Sequence, residues 1–166
     1  MSHYKNKETV LQFYRAFDNR NIDKAFALLA DNFVAHMAGI SEPLNKQKFE
    51  QFGREFYSAF INGQHTFEEI VTERDLGEAE ALRDRIVTYG KFTAKHLGTF
   101  QGLPATNKQI EISVMHIDRV ENGKIVEHWG QGDVQGLMKQ LGIIFLPSPK
   151  LIFQIITNNT ARLFKQ

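Results

Sequence analysis

The chain has 166 residues, about one domain at the usual size, with 42% hydrophobic residues, 23% charged residues and no cysteine. That balance excludes a disordered chain, and the missing cysteine excludes disulfides, thiolate metal sites and cysteine nucleophiles. Lysine and arginine total 20 against 19 acidic residues, a net charge of +1, which excludes a strong overall field for nucleic acid.

Val10, Phe13, Tyr14 and Phe17 recur at helical spacing, so the chain is expected to open with an amphipathic helix capped by Asn6 and ended by Asp18-Asn19-Arg20-Asn21. A short second helix fits Asp23 to Ala30, with Ala25, Leu28 and Leu29 inward, and Phe33 to His36 reads as a short strand. Asn45 is placed to cap a third helix whose Phe49, Phe52, Phe56 and Phe60 form one stripe. After Gly63 the composition turns to β-branched and aromatic residues. Strands are expected at 65–73, 79–92, 109–120 and 124–130, separated by Asp75-Leu76-Gly77, Gly102-Leu103-Pro104 and Asn122-Gly123. Asp133 introduces a short helix that Gly142 ends. Helices followed by a run of antiparallel strands make an α+β pattern. The expected architecture is three N-terminal helices on a strongly curved, mainly antiparallel sheet. One domain is expected over 1–142, followed by a C-terminal extension over 143–166. There Pro147-Ser148-Pro149 interrupts the chain, and Leu151, Ile152, Ile155, Ile156, Leu163 and Phe164 suggest an apolar-faced helix. The 14 phenylalanines point to an aromatic core or a greasy cavity.

Three stretches carry a family resemblance. They are His96-Leu97-Gly98-Thr99-Phe100-Gln101-Gly102-Leu103-Pro104-Ala105-Thr106, then Gly123-Lys124-Ile125-Val126-Glu127-His128-Trp129, then Asp133 through Gln135-Gly136-Leu137 to Gln140-Leu141-Gly142. With the helical opening, residues 4–142 resemble the SnoaL-like polyketide cyclases, a branch of the nuclear-transport-factor-2-like superfamily. The resemblance implies a cone-shaped α+β barrel around a ligand cavity. It also implies a cofactor-free enzyme that closes a ring of an aromatic polyketide by intramolecular aldol reaction. In such cyclases an Asp removes a proton next to a carbonyl, and a His helps stabilise the enolate. The family's His falls on His116. Its catalytic Asp position falls on Gly130, so this chain lacks the family's principal base there.

The turn at Asn122-Gly123 decides which residues share a face. Asn-Gly alone favours a two-residue turn, which sets His116 opposite Trp129 and leaves His128 on the other face. A three-residue loop, Glu121-Asn122-Gly123 with a bulge at Gly123, sets His116 opposite His128. The resemblance favours the three-residue loop, with Val114, His116, Val126, His128 and Gly130 on the cavity face. It sends Met115, Ile117, Ile125 and Trp129 toward the helices.

His116 and His128 are then the expected acid/base pair, because imidazole titrates near neutrality. Asp133 is either a displaced base or a helix cap, and Asp118 is expected near the hairpin tip and wet. Tyr14, His36, Val114 and Gly130 are expected to contact the ligand, with His36 at the cavity rim. Glu127 reads as a solvated or paired charge, and His96 as support for the Gly-rich turn. The histidines show no metal-ligand spacing, so no metal is expected, and the resemblance implies that no cofactor is used. The expected ligand is a small hydrophobic ring compound, with no nucleic-acid partner. The opening MSHYKNKETV lacks the apolar core of a secretory signal, and no window is apolar enough to span a membrane. A cytoplasmic homodimer is the expected form. Two other readings stay open: a binding module of the same fold without chemistry, and an interaction protein that dimerises through its sheet or its C-terminal helix.

Overall fold

The computed structural model describes residues 2–72, 84–143, 148–151 and 153–154. Helix α1 (Ser2–Asp18) buries Val10, Phe13, Tyr14 and Phe17 on one stripe. It begins before Asn6, so that residue is not its cap. Asn6 is buried inside the helix and donates from Nδ2 to Asp84 Oδ1 at 2.9 Å. Helix α2 (Ile22–Phe26) is shorter than expected, because Asn21 caps it and the chain is already extended at Leu29, where strand β1 (Leu29–Met37) begins. A short strand β2 (Leu44–Asn45) leads into helix α3 (Lys46–Ala59). The Asn45 side chain accepts the Lys48 N–H at 3.0 Å, which satisfies one orphan donor of the first turn.

Phe60 leaves the helix and opens strand β3 (Phe60–Thr72), five residues before the expected start. Strand β4 (Arg85–His96) carries the chain through His96, which is fully buried and stacked on Phe60 at 4.8 Å. Strands β5 (Gln109–Glu121) and β6 (Lys124–Gly132) form a long hairpin. Helix α4 (Val134–Leu141) follows. Asp133 caps it by accepting the Gly136 N–H at 2.7 Å, and Gly142 ends it in the left-handed conformation. The Asp75-Leu76-Gly77 turn and the start of the strand expected at 79 lie outside the described residues. In the C-terminal extension, residues 149–151 and 153–154 are helical. Ile152, Ile155, Ile156, Leu163 and Phe164 lie outside the described residues.

The described strands form one curved, unclosed sheet in the order β2-β1-β6-β5-β4-β3. Every neighbouring pair is antiparallel except β1 and β6, which run parallel. One apolar cluster joins α1, α2, α3 and β1 to Ile86, Val120 and Ile125 of the sheet, and a second joins the end of α3 to β4, β5 and α4. Helices and core therefore share one face of the sheet.

The hairpin corrects the expected register. Glu121 pairs with Lys124, so Asn122-Gly123 is a two-residue turn, with φ of 51° and 74°. The three-residue loop does not form. A bulge in β6 then shifts the pairing between Val120↔Ile125 and Arg119↔Glu127. Beyond it, His116 pairs with Gly130 and Asp118 with His128. The extra residue reverses strand parity, so His128 turns to the helix side although the turn alone would send it outward. Trp129 goes the opposite way from expectation. It lies on the outer face, stacked on His36 at 5.3 Å with the Arg85 guanidinium 5.5 Å from its ring centre. Met115 on that face is 45% exposed.

Candidate functional site

A cavity of about 290 Å³ lies between the helices and the sheet. Phe13 and Phe17 of α1, Phe49, Phe52 and Phe56 of α3, Phe92 of β4 and Leu137 of α4 line it. The phenylalanine stripe of α3 thus serves the wall of a hollow as well as the core. Among the described residues, the ionisable side chains that reach it are Tyr14 and Tyr57 from the helices and His65, His116 and His128 from the sheet.

The three imidazoles form one cluster. The His116 ring lies 5.5 Å from that of His128, inclined to it by 29°, and 5.9 Å from that of His65. The Tyr14 ring packs against His116 at 4.9 Å and against His65 at 5.0 Å. Each imidazole has a different partner at Nδ1. For His128 it is Asp118 Oδ1 at 2.8 Å, for His65 it is Asp18 Oδ1 at 2.7 Å, and for His116 it is Thr88 Oγ1 at 3.2 Å. Asp118 is fully buried. Its other oxygen accepts the Tyr14 hydroxyl at 2.9 Å.

Burial, reinforced by His128 and His65, holds His116 well below the usual imidazole range, so the ring is neutral at pH 7. Burial and then the Asp118 carboxylate push the Tyr14 phenol well up, so it remains a proton donor to Asp118. Burial also raises Tyr57, whose hydroxyl has no hydrogen-bond partner among the described residues.

Of the residues singled out in the sequence, the structure brings Tyr14, Val114, His116, His128 and Gly130 to the cavity wall. Asp133 is exposed at the α4 N-cap and is not part of that wall. His36 is not at the rim. It lies on the outer face, where Nε2 meets Glu127 Oε1 at 3.2 Å, and Glu127 also accepts from Arg119 Nε at 3.2 Å. Asp118 is not wet at the hairpin tip, because the sheet curves under Tyr14 and His128 and seals it. Sequence reasoning missed His65 with Asp18, whose partners lie 47 residues apart in sequence. Their one legible signal is an acid at the end of a helix followed later by a histidine in a strand, a pattern too common to single out. Among the described residues no group of three or more His, Asp or Glu side chains is placed to hold a metal ion, and no helix is long and apolar enough to cross a membrane.

A family model described as SnoaL-like polyketide cyclase matches residues 8–141. The chain belongs to that family. Nogalonic acid methyl ester cyclase of Streptomyces nogalater is 35% identical over 57 residues, which are 34% of this chain and 40% of that protein. Aklanonic acid methyl ester cyclase DauD of Streptomyces sp. (strain C5) is 29% identical over 94 residues, 54% of this chain and 56% of that protein. The aligned stretches therefore span about half, or less, of these curated relatives. Solved structures superpose over more of the chain. The protein from Jannaschia sp. CCS1 gives a TM-score of 0.72 at 15% identity, covering 86% of this chain and 95% of that one. IdmH of Streptomyces antibioticus gives 0.66 at 24% identity, covering 83% and 99%. At these identities the likeness speaks for a SnoaL-like fold and leaves the chemistry to the site.

Proposed function

We propose that this SnoaL-like protein is a cofactor-independent acid/base enzyme that closes a ring of an aromatic polyketide by intramolecular aldol addition. The observation that carries the reading is the stacked His116–His128 pair at the polar wall of an otherwise phenylalanine-lined cavity. The apolar walls suit a flat ring system, and the imidazoles suit proton movement at its oxygenated edge. A proton leaves the carbon next to a carbonyl. The resulting enolate carbon attacks a second carbonyl of the same molecule, and the new alkoxide takes a proton back. Atoms and electrons balance without an oxidant or a second substrate. The two curated relatives carry methyl ester cyclase names, which supports a polyketide ester as the class of substrate.

The test is incubation of the protein with aklanonic acid methyl ester, followed by chromatography and mass spectrometry. A ring-closed isomer of unchanged mass should form faster than in buffer, and His116→Ala should slow it. Absence of that isomer from both this ester and nogalonic acid methyl ester would overturn the reading. A second reading, a binding module without chemistry, is favoured by the bare backbone at Gly130. It requires thermal stabilisation by the ester with no product.

A further inference from the structure

The acid/base reading does not say which imidazole takes the proton. Resting on that reading, we propose that His128 is the base through Nε2, that Asp118 is the positioning residue that fixes its tautomer, and that Gly130 keeps this nitrogen open to the ligand.

Four observations converge on His128. Asp118 is fully buried, and Tyr14 holds its second oxygen, so its first oxygen is committed to His128 Nδ1. An ionised carboxylate only accepts, so the proton of a neutral His128 sits on Nδ1 and the Nε2 lone pair is free. The ring is packed against Phe49 at 5.6 Å and His116 at 5.5 Å, which restricts its rotation. A Cβ at position 130 would come within 2.8 Å of His128 Nε2 and 3.0 Å of Met37 Sδ. Any side chain there would cover the nitrogen, and glycine leaves it facing the cavity that both residues line.

His116 is less suited to this role, since its Nδ1 faces the Thr88 hydroxyl and no carboxylate stands behind it to balance an imidazolium. His65 is the structural rival, because Asp18 supports it at 2.7 Å. Among the described residues, none of the cavity-lining glycines Gly39, Gly53, Gly130 and Gly132 has His65 among the atoms nearest its Cβ position.

In the step proposed, Nε2 takes the proton and the C–H electron pair moves into the enolate. The imidazolium so formed is stabilised by Asp118. After the carbon–carbon bond forms, Nε2–H returns the proton to the alkoxide. A base of imidazole strength suits a carbon acid that a second group activates, such as a carbon between two carbonyls or between a carbonyl and an aromatic ring.

The test has an arm that needs no turnover. Two-bond proton–nitrogen spectra of 15N-labelled wild-type protein, with His128 assigned through His128→Gln, should show Nδ1–H and a bare Nε2. A proton on Nε2 of the neutral ring overturns the proposal. The second arm uses 2-tetralone in deuterated buffer and follows deuterium uptake at C1, between the ring and the carbonyl. Wild-type protein should accelerate uptake. Asp118→Asn should lower kcat by about 100-fold or more with KM within about threefold. Gly130→Ala should reduce the rate about tenfold while 2-tetralone still raises the melting temperature. No acceleration by wild type, or acceleration that survives His128→Gln and disappears in His65→Gln, overturns the assignment. If 2-tetralone exchanges through His128 but the polyketide esters are not cyclised, the base assignment stands and the cyclase reading falls.

Discussion

Asp118 shows how a single residue ties stability to the site. A carboxylate without solvent is costly unless its lone pairs are used, and here Tyr14 and His128 use them. A hydrogen bond to a charged group is worth about 1.5–3 kcal/mol. Tyr14→Phe, which keeps the ring and removes only the hydroxyl, is therefore expected to lower the unfolding free energy by about that amount, measured by urea denaturation. A loss below about 0.5 kcal/mol would mean that another donor replaces Tyr14.

His116 makes a prediction about pH. Its folded-state basicity lies well below the 6.5 of the free side chain, chiefly through burial and then through His128 and His65. The groups around it are the rings of Tyr14, His65, Phe67 and His128 and the Thr88 hydroxyl. As pH falls below about 6.5 the unfolded chain gains a proton at this position and the folded chain does not. Stability present above that pH is thus lost on acidification toward the lowered folded-state value. His116→Gln removes the linkage, so its melting temperature should fall less than the wild type's between about pH 7 and pH 5. Parallel melting curves for the two proteins would count against a buried neutral His116.

Secondary-structure elements carry the parts of the sequence that were legible and the part that was not. The α1 stripe, the Asn45 cap, and the Asp133 and Gly142 ends of α4 each follow from a local rule, and each forms as that rule requires. The shared face of His116 and His128 needed a bulge as well as a turn. A bulge responds to the register of both neighbouring strands, and nothing local at Ile125-Val126 announces it. The same limit hid Asp118–His128 and Asp18–His65, which exist only once separate elements pack. The turn itself is testable. Gly123 sits at φ 74° with open space where a Cβ would stand, so only backbone strain opposes a side chain there. Gly123→Ala should cost about 1–2 kcal/mol, roughly 2–8 °C in melting temperature for a chain of this size. It should leave the cavity's ligand affinity unchanged. A shift in affinity as well would mean that the turn and bulge move together.

For the whole molecule the fold and the cavity are one design problem. The sheet stays open and curved, and α1, α3 and α4 close over one face of it, so the phenylalanines that stabilise the fold also shape the hollow. An apolar cavity of this kind loses contacts on its inner wall, and a ligand that restores them stabilises the protein by mass action. At 100 times its Kd a ligand adds about 2.7 kcal/mol, roughly 5–11 °C in melting temperature for a domain of this size. Val114 reaches the cavity from β5, two residues from His116. Val114→Phe should fill part of the space that a ring compound would take. Its own melting temperature should stay within a few degrees of wild type, because the added ring enters empty volume. The shift produced by saturating 2-tetralone should shrink or vanish, as read by calorimetry with and without the ketone. A Val114→Phe protein that keeps the full ligand shift would place the bound ring elsewhere, away from the histidine wall.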